Sequence, residues 1–233
     1  MTRFFIFLFV VLTTTSVLAQ KADHTLWNTV LQNHVSNKGQ VDYKTIKSNP
    51  NQLLTYLNTL TNNAPDSDWT REETLAYWIN AYNAFTVQLI INNYPLQSIK
   101  DLKNPWDKKF ITIGNKTLSL NQIEHDILRT MHEPRIHFAI VCASVSCPKL
   151  SNSAYTARDL DIQLNRATRA FLNDPSKNNI EKNKLELSKL FKWFTTDFKQ
   201  NGSLIDFLKQ YSDIDISKKA KIVYKDYNWN LNE

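Results

Sequence analysis

The sequence predicts an α+β fold that is predominantly helical, with a small sheet packed on a central buried helix. The 233-residue chain contains three glycines and seven prolines, too few for a β-rich fold, because its tight turns need residues that tolerate positive φ. One segment, from about Thr70 to Asn93, is apolar nearly all the way round, as expected of a helix enclosed by its domain. Long helices around a few short strands are typical of the α+β class.

The composition indicates one globular domain. Apolar residues make up 42% of the chain and charged residues 21%, which excludes collagen-like, low-complexity and natively disordered proteins. No internal repeat and no linker rich in glycine or proline divides the sequence, so we expect a single domain over residues 22–233. The net charge of +6 is spread along the chain. The densest basic group, Lys218 to Lys221, is typical of a solvated face, and no nucleic-acid partner is predicted.

Residues 1–19 are predicted to be a cleaved secretory signal. Arg3 supplies a positive charge and Phe4–Leu12 form an unbroken apolar run, while Val17 and Ala19 occupy the positions that define a cleavage site. The run is shorter than the roughly 20 residues that a membrane helix needs, and no later stretch is apolar enough for a membrane span. We therefore expect a periplasmic or secreted mature chain that begins at about Gln20.

Apolar spacing predicts three helices in the first part of the chain. The first covers Asp23–Val35, leucines from Leu53 to Leu60 mark the second, and the third spans Thr70 to Asn93. In the third helix Asn80 and Asn83 lie three residues apart and therefore side by side. A buried amide without partners costs roughly 1–3 kcal/mol, so these amides either tie the backbone of a neighbouring loop to the core or face a polar cleft.

Strands and helices are expected to alternate in the middle of the chain. A short strand over Phe110–Ile113 precedes Ser119-Leu-Asn-Gln, a capping sequence that predicts a helix over Leu120–Thr130. Arg135–Cys142 is short and apolar and lies between a proline and a polar loop, a pattern typical of a strand.

A second capping sequence, Thr156-Ala-Arg-Asp, predicts a helix that ends at Leu172. A strand pair is predicted over Ile180–Leu187, and a last strand over Lys221–Tyr224. Between them, two helices joined at Gly202 are predicted over Ser188–Lys199 and Ser203–Tyr211.

Residues capable of chemistry are densest between positions 124 and 147. A thiol attacks only as a thiolate, and a neighbouring histidine favours that form. Strand alternation would place His137 and Cys142 on opposite faces, which disfavours a direct pair, whereas Cys147 lies in the polar loop beyond the strand. The predicted catalytic residues are therefore Cys147 as nucleophile and His125 as base, with Glu124 or a carboxylate such as Glu73 orienting the base. His137 is the second candidate imidazole.

Two other chemistries are open for the cysteines. In a secreted chain, two cysteines with four residues between them are the simplest case of a disulfide, and inert core thiols are a related outcome. A metal site would combine the two cysteines with His137 and His125, but the tight spacing of common zinc sites is absent. The sequence therefore predicts no metal and no cofactor.

Polar residues also indicate a binding cleft. Arg129 and Arg135, together with the amides of Asn80 and Asn83 and the hydroxyl of Ser144, offer donors for a carboxylate, a peptide terminus or a sugar acid. The alternative is that the arginines form internal ion pairs and the amides tether backbone.

Four stretches of the sequence resemble one known family. They are Ala76-Tyr-Trp-Ile-Asn-Ala-Tyr-Asn-Ala, Ser119–Arg129, Arg135–Pro148 and Tyr227–Asn232. Over nearly the whole mature chain the sequence resembles the family called domain of unknown function 547. The resemblance implies a domain without an assigned activity that occurs both in secreted bacterial proteins and in plant proteins.

The central helix and the following segment that opens with histidine also resemble the papain and transglutaminase-like arrangement, in which a helix faces a sheet across a cleft. Asn80 would lie near the position of the nucleophilic cysteine in those enzymes, so the resemblance implies no catalytic thiol on that helix.

Two functions are therefore predicted. The residues favour a non-catalytic cleft that binds a small anionic ligand or a peptide segment. The alternative is a papain-like thiol hydrolase or acyl transferase acting on an amide or ester.

Overall fold

The computed structural model describes residues 21–233, and the predicted signal segment lies outside them. This part of the chain is predominantly helical, with one sheet of two strands and one of three. The predicted α+β fold is confirmed. Within residues 21–233 none of the helices combines the length and the hydrophobicity that crossing a bilayer requires.

Four helices build the first part of the described chain. They are α1 (Thr25–His34), α2 (Tyr43–Ser48), α3 (Asn51–Asn62) and α4 (Arg71–Asn93). Helix α2 has no counterpart in the sequence prediction because its six residues are too few to show a helical period. Its start is marked instead by Asp42, whose carboxylate accepts the N–H of Thr45 at 2.9 Å.

Helix α4 is the central element of the fold. The Thr70 hydroxyl accepts the N–H of Glu73, and the Glu73 carboxylate accepts the N–H of Thr70 in return, so the helix begins with a capping box. Every residue from Leu75 to Val87 is buried, as the apolar run predicts. The helix packs against α2, α3 and the helical segment at residues 122–128.

Two asparagines of α4 hold neighbouring backbone in place. The Asn80 side chain donates to the Tyr155 carbonyl at 2.8 Å and accepts the Tyr155 N–H at 3.0 Å. The Asn83 side chain donates to the Ala139 carbonyl at 2.9 Å and accepts the Val141 N–H at 3.0 Å. Both amides are fully buried. The tethering interpretation is therefore the one that the structure shows.

The strand predicted over Arg135–Cys142 is wrong. Pro134–Phe138 form a 3₁₀ helix, in which proline fixes φ in the first turn and the Glu133 carboxylate accepts the Arg135 N–H at 3.2 Å. The following backbone turns at Ala139 and Ile140 and bonds to the side chain of Asn83 instead of to a strand. The apolar run is buried as expected, and burial alone does not distinguish a strand from such a segment.

A hairpin and an irregular helix follow α4. Strands β1 (Ile111–Ile113) and β2 (Lys116–Leu118) pair antiparallel, and Ser119 and Gln122 form the predicted capping box. The helix predicted from residue 120 onward is present, but over Gln122–Leu128 it widens into a π-helix, a form frequently found at functional sites.

The last part of the described chain contains four helices and a three-stranded sheet. The helices are α5 (Leu160–Leu172), α6 (Leu190–Trp193), α7 (Thr195–Phe198) and α8 (Leu204–Lys209). The strands are β3 (Asn179–Ile180), β4 (Lys184–Leu187) and β5 (Lys221–Tyr224), with β4 antiparallel to β3 and parallel to β5. The predicted strand pair and last strand are confirmed, whereas the helix predicted over Ser188–Lys199 is broken at Phe194 into α6 and α7.

The segment around residue 138 joins two hydrophobic clusters. Ile136 and Ala139 pack in the larger cluster around α4, while Phe138 packs in an aromatic cluster with Phe171 and Phe191. His137 therefore lies at the boundary between the two.

The C-terminal tail docks on the loop that contains the cysteines. The Val145 N–H donates to the Asn230 carbonyl at 2.8 Å, and the Ser146 N–H donates to the Asn228 carbonyl at 3.1 Å. Leu231 is buried in the larger cluster. The tail thus covers one side of the loop between Cys142 and Cys147.

We predict that Asn80→Ala lowers the free energy of unfolding by roughly 2–4 kcal/mol, because it leaves the N–H and the carbonyl of Tyr155 buried without partners. Urea denaturation of the folded protein measures this change. The matched control is Asn92→Ala, an exposed asparagine of the same helix, which should shift stability by about 0.5 kcal/mol or less. Equal effects of the two substitutions would contradict the tethering role.

Candidate functional site

A cavity of about 200 Å³ opens between the π-helix, the cysteine loop, α6 and the tail. It is lined by Tyr82, Trp106, Asn121, Glu124, His125, His137, Ile140, Cys142, Cys147, Pro148, Leu190, Trp193, Phe194, Tyr227 and Trp229. All four predicted catalytic residues are in this wall. The five predicted ligand-binding residues, Asn80, Asn83, Arg129, Arg135 and Ser144, are outside the lining.

The two cysteines form a disulfide. Of the alternatives that the sequence leaves open, the pair is the one observed. Cys147 therefore has no thiol in this state, and the predicted role of nucleophile has no reactive group here. The Cys147 sulfur is instead surrounded by hydrogen-bond donors, namely the Cys142 N–H at 3.0 Å and the hydroxyls of Ser144 and Tyr227 at 3.3 Å.

Asp197 organises the charges next to the cavity. Its carboxylate accepts two hydrogen bonds from Arg129, at 2.6 and 2.8 Å, and lies 2.7 Å from Nε2 of His137. Burial tends to raise the pKa of Asp197, but the bonds to Arg129 and His137 outweigh it and hold the pKa well below its usual range. The carboxylate is therefore ionised and acts only as an acceptor.

The His137 ring presents an unpartnered nitrogen. Burial lowers the pKa of His137 more than the bond to Asp197 raises it, so the ring is neutral at pH 7. Because Asp197 only accepts, Nε2 carries the proton and Nδ1 has a lone pair. Within residues 21–233, Nδ1 is the one buried side-chain nitrogen or oxygen without a hydrogen-bond partner. The ring stacks on Phe194, with centroids 3.9 Å apart.

Glu124 supplies a carboxyl group whose charge depends on pH near neutrality. Burial raises its pKa from 4.5 to about 7, against the opposing effects of the Tyr82 hydroxyl and Arg129. The Tyr82 hydroxyl lies 3.3 Å from Oε2 of Glu124. Below pH 7 this group is a neutral acid that can donate a hydrogen bond into the cavity.

His125 contacts the same charge network from the exposed side of the π-helix. Its Nδ1 lies 3.0 Å from a guanidinium nitrogen of Arg129. Burial and the positive charge of Arg129 lower the pKa of His125, so this ring is also neutral at pH 7.

Both arginines proposed for an anion site are already paired. Arg129 binds Asp197, and Arg135 contacts Glu133 at 2.7 Å and Asp161 at 2.7 Å. The ion-pair alternative is thus the one observed. Carboxylates of the protein compensate both positive charges, on which the prediction of an anionic ligand depends. Arg135 also lies outside the cavity wall.

Aromatic side chains form most of the remaining wall. Trp193, Tyr227 and Trp229 contact one another, with ring centroids 4.6 to 5.8 Å apart. Trp106 extends this cluster through Trp229, whose ring centroid is 5.7 Å away. The stretch Tyr227–Asn232 is one of the four on which the family resemblance rests, but nothing in its pattern predicts a cavity wall. No sequence signal identifies Asp197, which is an ordinary acidic residue of a short helix.

Residues 67–172 match the family model described as protein of unknown function, DUF547. This segment, less than half of the chain, is similar to the DUF547 family. The DUF547 segment contains α4, Glu124, His137 and both cysteines, whereas Trp193 and Asp197 lie beyond it. No curated protein and no solved structure matches the chain. The papain-like arrangement is not confirmed and stays a prediction.

We predict that Glu124 makes stability decrease with rising pH. Its folded-state pKa lies above the ordinary value, so between pH 4.5 and about 7 the folded protein holds a proton that the unfolded chain releases. The stability that this neutral carboxyl provides is complete below pH 4.5 and is lost as pH rises through 7. At about 1.4 kcal/mol per unit, the loss is on the order of 3 kcal/mol.

Urea denaturation between about pH 4 and pH 8 tests this sign. Glu124→Gln should remove the decrease, because the amide is neutral throughout, and the exposed Glu72→Gln serves as the control. If Glu124→Gln and the parent protein show parallel profiles, Glu124 is not the group responsible.

Proposed function

We propose that the cavity is a binding site for a peptide segment with a neutral apolar side chain. The proposal keeps the peptide part of the predicted ligand class and drops the anionic part. It does not extend to hydrolysis, because the disulfide leaves Cys147 without a thiol.

The polar groups of the cavity carry this proposal. The lone pair on Nδ1 of His137 is a buried acceptor without a donor, and protonated Glu124 is a donor. A peptide group has one N–H donor and one carbonyl acceptor. A peptide group that contacts both would therefore pair with each of them, whereas a carboxylate ligand would pair with Glu124 alone and leave Nδ1 without a donor.

The walls favour an apolar side chain. Trp106, Trp193, Trp229 and Phe194 contribute aromatic surface to the lining, and such residues provide large contact areas for little loss of conformational entropy. None of the described residues that line the cavity is a lysine or an arginine. A volume of about 200 Å³ accommodates one side chain with its adjoining backbone.

Titration with blocked tripeptides, monitored by tryptophan fluorescence, tests the proposal. A peptide with central leucine should bind, and a peptide with central glutamate should bind at least tenfold more weakly. Trp193→Ala should weaken leucine-peptide binding roughly tenfold by removing one wall. The control is Ile162→Ala, which removes an exposed apolar side chain of α5. Tighter binding of the glutamate peptide would contradict the proposal.

The same titration should depend on pH through Glu124. Binding should weaken as pH rises above about 7, because the carboxyl loses the proton that it donates to the peptide carbonyl. Glu124→Gln retains an N–H donor and should bind without this decrease. A parent protein that binds equally well at about pH 6 and pH 8 would exclude Glu124 as the donor.

We further propose that the protein is exported from the cytoplasm. The apolar run Phe4–Leu12 after Arg3 supports export, and a disulfide is favoured by an oxidising compartment. Mass spectrometry of protein recovered from a bacterial periplasm or culture medium should find Gln20 as the first residue. Recovery of uncleaved chain from the cytoplasm alone would contradict export.

A further inference from the structure

We propose that Cys142–Cys147 is a thiol–disulfide exchange site that oxidises peptide dithiols. The peptide part of this substrate class rests on the function proposed above, whereas the reactivity of the disulfide toward small dithiols does not.

The disulfide lies in the wall of the cavity, where a ligand would be bound. Its two ends differ in access. Cys147 is 5% exposed, whereas Cys142 is only partly buried. An incoming thiolate therefore meets the sulfur of Cys142, and the sulfur of Cys147 is the leaving group.

The surroundings of Cys147 suit a leaving thiolate. Its sulfur accepts the Cys142 N–H at 3.0 Å and lies 3.3 Å from the hydroxyls of Ser144 and Tyr227. Hydrogen bonds to a charged form lower the pKa of the group, and a thiol with a lower pKa leaves faster. The two hydroxyls also lie 3.3 Å from the Cys142 sulfur, so they remain close to either sulfur during exchange.

The loop is held by bonds that do not involve sulfur. Asn83 accepts the Val141 N–H, and the tail accepts the N–H groups of Val145 and Ser146. The first bond lies next to Cys142, and the other two lie within the six-residue loop from Cys142 to Cys147. Breaking the sulfur–sulfur bond therefore leaves the two cysteines adjacent, which a reversible exchange requires.

The exchange proceeds in two balanced steps. A thiolate of the peptide attacks Cys142 Sγ, which forms a mixed disulfide and releases Cys147 as a thiolate. The second peptide thiol loses its proton to the Cys147 thiolate, and its sulfur then attacks the peptide sulfur of the mixed disulfide and releases Cys142. Two electrons pass from the peptide to the protein. The protein ends as a dithiol, after Cys142 takes a proton from water. The peptide ends as a disulfide that has lost two protons.

Reduction of the native protein by dithiothreitol tests the sulfur chemistry alone. The rate should be proportional to dithiothreitol concentration and faster than unfolding measured in urea. A rate that equals the unfolding rate and does not change with dithiothreitol concentration would show a structural crosslink and overturn the proposal.

Two substitutions of the cysteine loop test the donors. Ser144→Ala should slow reduction roughly tenfold, since it removes a hydrogen bond to the leaving thiolate. Val145→Ala is the matched control, because that side chain is exposed and keeps its backbone bonds. Tyr227→Phe should also slow reduction, and circular dichroism checks that each variant is folded. Equal rates in Ser144→Ala and Val145→Ala would contradict the stabilisation of the leaving thiolate by the Ser144 hydroxyl.

Brief exposure to glutathione, followed by alkylation and mass spectrometry, locates the attack. Glutathione should be found on Cys142 and the alkyl group on Cys147, and the reverse pattern would refute the proposed direction. A dithiol peptide with leucine between its cysteines should react faster than dithiothreitol, and this ratio should decrease in Trp193→Ala. Fast reduction by dithiothreitol without any peptide preference would support the exchange site and contradict the peptide site.

Discussion

The hydrogen bonds between the Asn83 amide and the backbone of residues 139 and 141 fix the geometry on which the cavity depends. They attach an irregular segment to the central buried helix α4, and His137 and Cys142 flank that segment. A regular strand would obtain such support from a neighbouring strand. Here a single side chain provides it, because a carboxamide offers both a donor and an acceptor with the spacing of a peptide group.

The charges beside the cavity form a second constraint. Asp197 binds Arg129 through both oxygens and also binds His137, so one carboxylate satisfies a cation and orients an imidazole. Asp197 comes from α7, beyond the DUF547 segment, while its partners come from within it. The electrostatics of the site therefore involve both parts of the chain, although the disulfide, Glu124 and His137 all belong to the matched segment.

Much of the fold follows from the sequence because its signals are local. The apolar run of α4, the capping box at Ser119 and the short strands near the C-terminus each depend on residues within a few positions of one another. The tethering role of Asn80 and Asn83 could also be anticipated, since a buried amide must find partners. The strand prediction after Pro134 is wrong because an apolar pattern fits a strand and a buried 3₁₀ turn equally well.

The site could be predicted only in part. Glu124, His125, His137 and Cys147 were grouped by their closeness in sequence, and the cavity does bring them together. Asp197 lies sixty residues from His137, and no spacing rule connects residues so far apart. Arg129 and Asp197 are also far apart in sequence, so no local pattern indicates that this arginine is paired. The widened turn at Gln122–Leu128 likewise depends on packing against α4 and leaves no mark in the residues themselves.

The docking of residues 228–231 on the cysteine loop has a consequence for biosynthesis. A ribosome makes these residues after every other part of the cavity wall, so a nascent chain has both cysteines and the histidine long before it has the aromatic side that encloses them. The pocket can therefore close only after the chain has been made as far as Trp229.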